Sequence, residues 1–215
     1  MRCYLVRHAQ TVWNSQNRLQ GHSDIPLSEL GQEQANRLSQ FFAQFKLGRI
    51  FTSVLKRSQQ TAAKIANGNG HALSPMVEND LAEIHLGAWE GLTPDEINER
   101  FGGAYQLWRE HPSVVTVQDA EPLADFRLRV RRVFKRISVD NSEGETVVVA
   151  HGGVIASVLA DVLGADYDLL LRRLRLDNAG ISAMELDNRT QQVLWINSIA
   201  HLKIPSPLPE EASWF

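Results

Sequence analysis

The stretch ETVVVAHGGVIASVLADVLG, residues 145–164, constrains the fold more than any other part of this chain. Thr146 to Ala150 is a continuous buried-type run, without the alternation of a strand that faces water on one side. Such a strand belongs in the middle of a parallel sheet, covered on both faces. A glycine pair follows, then an apolar helix that Gly164 ends. A buried strand that feeds directly into a helix is the unit of α/β folds.

The rest of the chain repeats that unit. Arg2 to Arg7 predicts a strand, followed by a polar loop with Asn14, Asn17, Gly21 and Pro26. Ser28 then caps a helix whose apolar positions Leu38, Phe41, Phe42 and Phe45 recur at helical spacing. RIFTS (49–53) predicts a second strand, KRSQQTAAKIA (56–66) a helix, and GHALSPMV (70–77) a turn with room for a third strand. Thr93 starts a helix with Pro94 at its first position, and Tyr105 to Glu110 form another. Leu123, Phe126, Val130, Val133, Phe134 and Ile137 form the stripe of a long amphipathic helix. GISAMELD (180–187) and QQVLWINSIA (191–200) read as late strands, a hairpin being one arrangement. Strands that alternate with helices predict a three-layer α/β/α sandwich with a mostly parallel central sheet, in one domain over residues 1–215. The final segment, 203–215, is proline-containing and reads as either a disordered end or a strap over the surface.

Composition narrows the setting. The 215 residues suffice for one sizeable core, and 43% hydrophobic with 22% charged residues is ordinary for a globular protein. A net charge of −3 supplies no field that would draw the chain to nucleic acid. The single cysteine, Cys3, excludes an internal disulfide and fits a reducing compartment. No apolar run approaches the ~20 residues that span a bilayer, and the short apolar stretch after Arg2 is too brief for a signal peptide. A cytoplasmic protein without a membrane partner is expected.

Arg7 and His8 stand where the first strand ends, and His151 stands where the VVVA strand ends. In open α/β sheets that carboxyl edge binds ligands. Arg57 follows the second strand, and Glu83 lies in the loop LAEIHLGAWEG. Two arginines, two histidines and a carboxylate at one edge suit a dianionic phosphoryl group: arginine forks match its oxygens, histidine can attack phosphorus, and a carboxylic acid can protonate the leaving oxygen. Gly152 and Gly153 would bring the backbone close at a helix start, where free N–H groups favour anions. Taken singly, each feature has a plainer reading. A histidine after a strand is usually structural, and a glycine pair usually marks only a tight turn. The arginines of the long helix (Arg127, Arg129, Arg131, Arg132, Arg136) read as a solvated face rather than a nucleic-acid site. His8, Glu83 and His151 as metal ligands form a weaker reading, because neither histidine belongs to a close-spaced ligand pair.

Together these residues carry a resemblance. LVRHAQTVWN (5–14) resembles the Arg-His-Gly signature of the histidine phosphatase superfamily, in its phosphoglycerate-mutase-like branch. RLQGHSDIPLSELGQEQA (18–35), FTSVLKRSQQTA (51–62), EIHLGAWEGLT (83–93), EPLADFRLRV (121–130) and VVVAHGGVI (147–155) match further family segments in order. The resemblance implies that His8 attacks phosphorus and becomes a phosphohistidine. It implies that Arg7, Arg57 and His151 hold the equatorial oxygens, that Asn14 also reaches the phosphate, and that Glu83 protonates the leaving alkoxide. Gln20, Gly21, His22, His85, Leu86 and Gly152 would complete the substrate contacts, with Trp89 and the segment Phe101 to Val117 lining the leaving-group pocket. No metal or cofactor is implied, and a homodimer is expected because family members often pair.

The same core serves mutases and phosphatases. The family's mutases carry Glu-Arg-x-Tyr-Gly at the acid motif, where this chain has Glu83-Ile84-His85-Leu86-Gly87, and their basic insertion before the second histidine is missing here. A phosphatase is therefore expected. Metal-independent phosphoserine phosphatases resemble the chain in length and in a C-terminal strand that ends in His-Leu, here His201-Leu202. They place a histidine immediately before the acid motif's glycine, whereas here Leu86 stands there and His85 one position earlier. Phosphoserine is the first expectation. A sugar phosphate, an α-ribazole-type phosphate, a broad range, a mutase or a non-catalytic binding protein of the same fold are the alternatives.

Overall fold

A computed structural model describes residues 1–70, 73–139, 143–187 and 190–202. The elements run β1 (Arg2–Arg7), α1 (Val12–Ser15), α2 (Glu29–Phe42), β2 (Leu47–Ser53), α3 (Lys56–Gly68), β3 (Met76–Glu78), α4 (Pro94–Arg100) and α5 (Ala104–Glu110). They continue with α6 (Leu123–Ser138), β4 (Glu145–Ala150), α7 (Gly152–Leu163), α8 (Tyr167–Arg173), β5 (Ile181–Leu186) and β6 (Gln191–Ser198).

The six strands form one sheet in the order β3-β2-β4-β1-β5-β6. β3, β2, β4 and β1 are mutually parallel, while β5 and β6 form an antiparallel hairpin on the β1 side. The buried run of β4 thus lies inside the parallel part, as its composition requires. Side-chain alternation divides the core in two. Tyr4, Val6, Val147, Val149 and Ile50 pack with α2 and α3, whereas Cys3, Leu5, Val148, Ala150 and Phe51 pack with α6, α7 and α8. This is the expected three-layer α/β/α sandwich.

Several local expectations shift. α2 stops at Phe42, and Phe45 follows it in a turn, yet the Phe45 ring still meets Tyr4 at 5.5 Å. β2 begins earlier than expected, at Leu47, across a register irregularity between Leu47 and Arg49. The polar loop after β1 contains α1, one turn closed by a capping box between Thr11 and Asn14. A turn that short leaves no hydrophobic period to read. α8 is also additional, started by Asp166, which caps Leu169 N–H. The late strand ends at Ser198, so His201-Leu202 belongs to the turn Ala200–Leu202 rather than to a strand end. The proposed third strand shrinks to Met76–Glu78. His71, Ala72 and the tail 203–215 lie outside the described residues.

Candidate active site

Strand register explains how distant residues meet. β1 and β4 are parallel neighbours with Arg7 opposite Ala150, so His8 and His151 leave the sheet side by side. His8 N–H extends the ladder by donating to Ala150 O over 2.9 Å. The two imidazole rings lie 5.2 Å apart. β2 flanks β4 on its other side and ends in Ser53, whose Oγ is 2.7 Å from His151 Nε2. Arg57 sits in the first turn of α3, directly after β2. Glu83 follows the turn Asn79–Leu81.

Arg7, His8, Arg57, Glu83 and His151 are each at most 5% exposed. Desolvation therefore dominates their titration. Burial, then the nearby Arg57 and Arg7 charges, hold His8 neutral well below the usual histidine range. Burial and Arg57 act in the same sense on His151. Burial lowers Arg57 to about 10, which leaves it protonated. Burial raises the Glu83 carboxyl, against two backbone hydrogen bonds that favour its charged form. Those bonds run from Ile84 N–H to Oε1 and from Gly153 N–H to Oε2, each 3.0 Å.

The His8 tautomer follows from one contact. His8 Nδ1 lies 2.8 Å from the Ala9 carbonyl oxygen, which can only accept. Nδ1 therefore carries the proton, and Nε2 keeps its lone pair. Both arginines are anchored at one edge and open at the other. Arg7 Nη1 donates to Leu176 O over 2.5 Å. Arg57 Nη1 and Nη2 donate to Ser23 O and Gly21 O. Arg7 Nε, Arg57 Nε, Gln20 Nε2 and His151 Nδ1 are buried without a hydrogen-bond partner among the described residues. An unmet buried donor costs about 1–3 kcal/mol, so these groups leave this edge of the sheet short of an acceptor.

The loops around the core are tied by residues that sequence reasoning passed over. Glu90 Oε1 accepts from His22 N–H and Leu86 N–H, and Oε2 from Ser23 N–H and Ser23 Oγ–H. Gly21 needs to be glycine: its φ is +50°, and a Cβ there would fall 2.1 Å from Glu90 Oε1. Arg129 is no solvated surface residue. It donates to Asp80 O, Ala82 O and Glu83 O and forks onto Glu121. It stands three residues after Phe126 and four before Val133, at the edge of the apolar stripe, but Arg127 stands likewise between Leu123 and Val130, so the sequence does not single it out. Arg127, Arg131, Arg132 and Arg136 also carry acidic partners, namely Asp161, Asp80 and Glu78.

The substrate-side expectations divide. His22 and His85 come together, ring centroids 5.0 Å apart, and His22 Nε2 donates to the Glu83 carbonyl oxygen over 2.7 Å. Leu86 and Trp89 are as buried as the candidate catalytic residues. Both are 2% exposed, and Trp89 packs in the core against Tyr105 and Trp108 of α5. Tyr105 and Trp108 are themselves buried, whereas most of the segment from Phe101 to Val117 is exposed or half-buried, and Tyr105, Gln106, Trp108 and Arg109 line a cavity with Pro94 and Leu171. The donor at the start of α7 is divided too: Gly153 N–H is taken by Glu83, which leaves Gly152 nearer the expected role. Asn14 lies in α1 beside this edge, and its Oδ1 accepts from Thr11.

Comparison with known proteins agrees with this geometry. Residues 3–199 match the model of the histidine phosphatase superfamily, branch 1, and the chain belongs to that family. It is 32% identical to phosphoserine phosphatase 1 of Hydrogenobacter thermophilus, over 92% of each chain. The structure of a mycobacterial glucosyl-3-phosphoglycerate phosphatase superposes with a TM-score of 0.82 at 30% identity, covering 92% of this chain and 98% of that one. The α-ribazole phosphatase of Shigella flexneri gives 0.81 at 26% identity, covering 92% and 96%. The chain is thus a phosphatase of the histidine phosphatase type, and its relatives differ in substrate.

Proposed function

We propose that this phosphatase works through a phosphohistidine on His8 and removes the phosphate from a small carboxylated metabolite, phosphoserine first. The observation that carries the reading is the set of buried, unmet N–H groups on Arg7, Arg57 and Gln20, together with an unpartnered His151 Nδ1, beside a histidine whose Nε2 keeps its lone pair. A phosphoryl group supplies the acceptors those donors lack. The His8 Nε2 lone pair forms a bond to phosphorus as the bond to the leaving oxygen breaks, and Glu83 gives its proton to that oxygen. Glu83 then takes a proton from the water that cleaves the phosphohistidine, which frees His8 and inorganic phosphate. Arg7, Arg57, His151 and Asn14 stabilise the charge on the equatorial oxygens.

Two points support a carboxylated leaving group. The His22 and His85 rings stand together beside Glu83, on the side where the leaving group must lie. Phosphoserine and glucosyl-3-phosphoglycerate, which appear in the names of two relatives, are both carboxylates. An α-ribazole phosphate is not, and it defines the competing outcome. The chain is read as one catalytic domain acting as a cytoplasmic homodimer, and light scattering that returns a monomer would remove the last part.

A phosphate-release screen in chelator tests the reading, with phosphoserine, 3-phosphoglycerate, a sugar phosphate and α-ribazole 5′-phosphate. Phosphoserine leading by about a hundredfold in kcat/KM, roughly 2.7 kcal/mol of discrimination, supports it. A leading substrate without a carboxylate overturns the substrate class. Activity abolished by chelator overturns the metal-free mechanism.

A further inference from the structure

We infer that Asn178 is a positioning residue that, with Thr11 N–H, holds the Asn14 carboxamide so that its NH₂ faces the phosphoryl group. The inference rests on the phosphoryl site proposed above.

Asn178 lies between α8 and β5, a segment the sequence reading left without a role. Its Nδ2 sits 3.1 Å from the carbonyl oxygen of His8 and 3.2 Å from Asn14 Oδ1. The His8 carbonyl can only accept, so the Asn178 atom is the amide nitrogen, and its two hydrogens serve the two contacts. The same logic fixes Asn14. Thr11 N–H can only donate, and it reaches Asn14 Oδ1 over 3.0 Å. Thr11 Oγ lies 3.0 Å from the same oxygen. Asn14 Oδ1 is therefore held by Thr11 and Asn178 together. The Asn14 NH₂ has no partner among the described residues and is left to donate outward. An anion needs that end; a reversed carboxamide would present an oxygen to phosphate oxygens.

The segment that carries Asn178 is fixed to the nucleophile. Ala179 N–H lies 3.1 Å from Arg7 O and 3.2 Å from His8 O. Ala179 holds a φ of +59°, a left-handed conformation that costs a non-glycine residue energy and is seen where surrounding structure enforces it. Asp177 is clamped by Asn197, whose Nδ2 donates to Oδ2 over 2.7 Å, and by Arg175, whose Nε donates to Oδ1 over 2.8 Å. Arg7 Nη1 rests on Leu176 O. The run from Arg175 to Ala179 thus touches the backbone of His8, the guanidinium of Arg7 and the carboxamide of Asn14. Only the Asn178 side chain spans two of them.

The test is a double-mutant cycle read by orthovanadate affinity, with kcat and KM on p-nitrophenyl phosphate alongside. Asn178→Ala is expected to weaken vanadate binding about tenfold or more, the scale of a hydrogen bond to a charged group. In an Asn14→Ala background the same change is expected to cost less than about threefold, since residues acting as a unit are non-additive. Equal losses in both backgrounds, or wild-type affinity in Asn178→Ala, overturn the inference. Should Asn178→Ala fold poorly, the isosteric Asn178→Asp serves. Its carboxylate cannot donate to Asn14 Oδ1, so a larger loss supports the inference and an unchanged affinity overturns it. Wild-type protein that binds no vanadate refutes the phosphoryl site itself, and this inference with it. Wild-type binding with an indifferent Asn178 refutes this inference alone.

Discussion

Arg129 Nη2 donates to the carbonyl oxygen of Glu83 over 2.9 Å, so an arginine of α6 holds the backbone of the candidate proton donor. The same guanidinium reaches Asp80 O and Ala82 O and forks onto the Glu121 carboxylate. Glu121 N–H in turn donates to His85 O over 3.0 Å. The loop that aims the Glu83 carboxyl is thus cross-braced by a side chain with no place in the chemistry.

Arg129→Ala is therefore expected to cost about 3 kcal/mol, because it strands the Glu121 carboxylate and the Asp80 and Ala82 carbonyls in a partly buried place, while the Glu83 carbonyl keeps His22. Arg131→Ala is the control. Arg131 pairs with Asp161 but its side chain is 58% exposed, and such pairs are worth about 0–1 kcal/mol. Urea unfolding of both variants decides it. Equal, small losses would mean that the Arg129 contacts are incidental.

Gly21→Ala should damage the phosphate site from a distance. The positive φ alone costs about 1–2 kcal/mol with a Cβ, and the new methyl would meet Glu90 Oε1 at 2.1 Å. Gly21 O is also the acceptor for Arg57 Nη2, so its displacement moves the guanidinium. The expected result is a lower Tm and at least a tenfold loss of kcat/KM. A variant with wild-type kinetics would show that the Arg57 anchor is dispensable.

His8→Ala should remove turnover by several orders of magnitude, since nothing else in the candidate site combines a free lone pair with the Ala9 tether. A variant that keeps a tenth of the rate would make His8 a binding group. An alkaline quench of ³²P-labelled protein separates these outcomes, because a phosphohistidine survives base and leaves label on the wild-type chain and none on the variant.

The clustering of Arg7, His8 and His151 at one sheet edge was legible because strand ends announce it. Arg7, His8 and His151 each interrupt an apolar run, and a charged residue there cannot be explained by packing. Arg129 was not legible: its neighbours Arg127, Arg131, Arg132 and Arg136 give the same local pattern, and only the fold tells which one turns inward. The burial of Trp89 was not legible either: a large apolar side chain in a turn is drawn to the nearest core, here the α5 aromatics. Asn178 carries no sequence signal, because its importance lies in contacts to residues near the other end of the chain.

Stability should fall on acidification. His8 and His151 are held neutral by burial and by Arg57 and Arg7, so their folded values lie below the ordinary ~6.5. The unfolded chain therefore binds more protons than the folded one as pH drops below about 6.5, and the stability present above that value is lost on the way down. Glu83 has the opposite sign: its raised value favours the folded state at low pH, and that contribution fades as pH rises through it. Tm in a phosphate-free buffer should decline from about pH 7 to 5, and His151→Asn should flatten the decline. A flat wild-type profile would mean that the histidines are not shielded.

Glu83 gives the sharpest mechanistic test. Its carboxyl is raised by burial, which favours the protonated form that the leaving oxygen needs. An alkoxide such as that of serine needs this proton, whereas p-nitrophenolate leaves without it. With phosphoserine, kcat/KM should fall as pH rises through the Glu83 value, since the acid form is then lost. With p-nitrophenyl phosphate that limb should be shallow. Glu83→Gln should slow phosphoserine by about a hundredfold or more and p-nitrophenyl phosphate far less. The substitution also places an NH₂ against either Ile84 N–H or Gly153 N–H, so some loss on both substrates is built in. The ratio between the substrates is therefore the quantity to read. Equal slowing of both would remove Glu83 from the acid role and leave it as a brace for the start of α7.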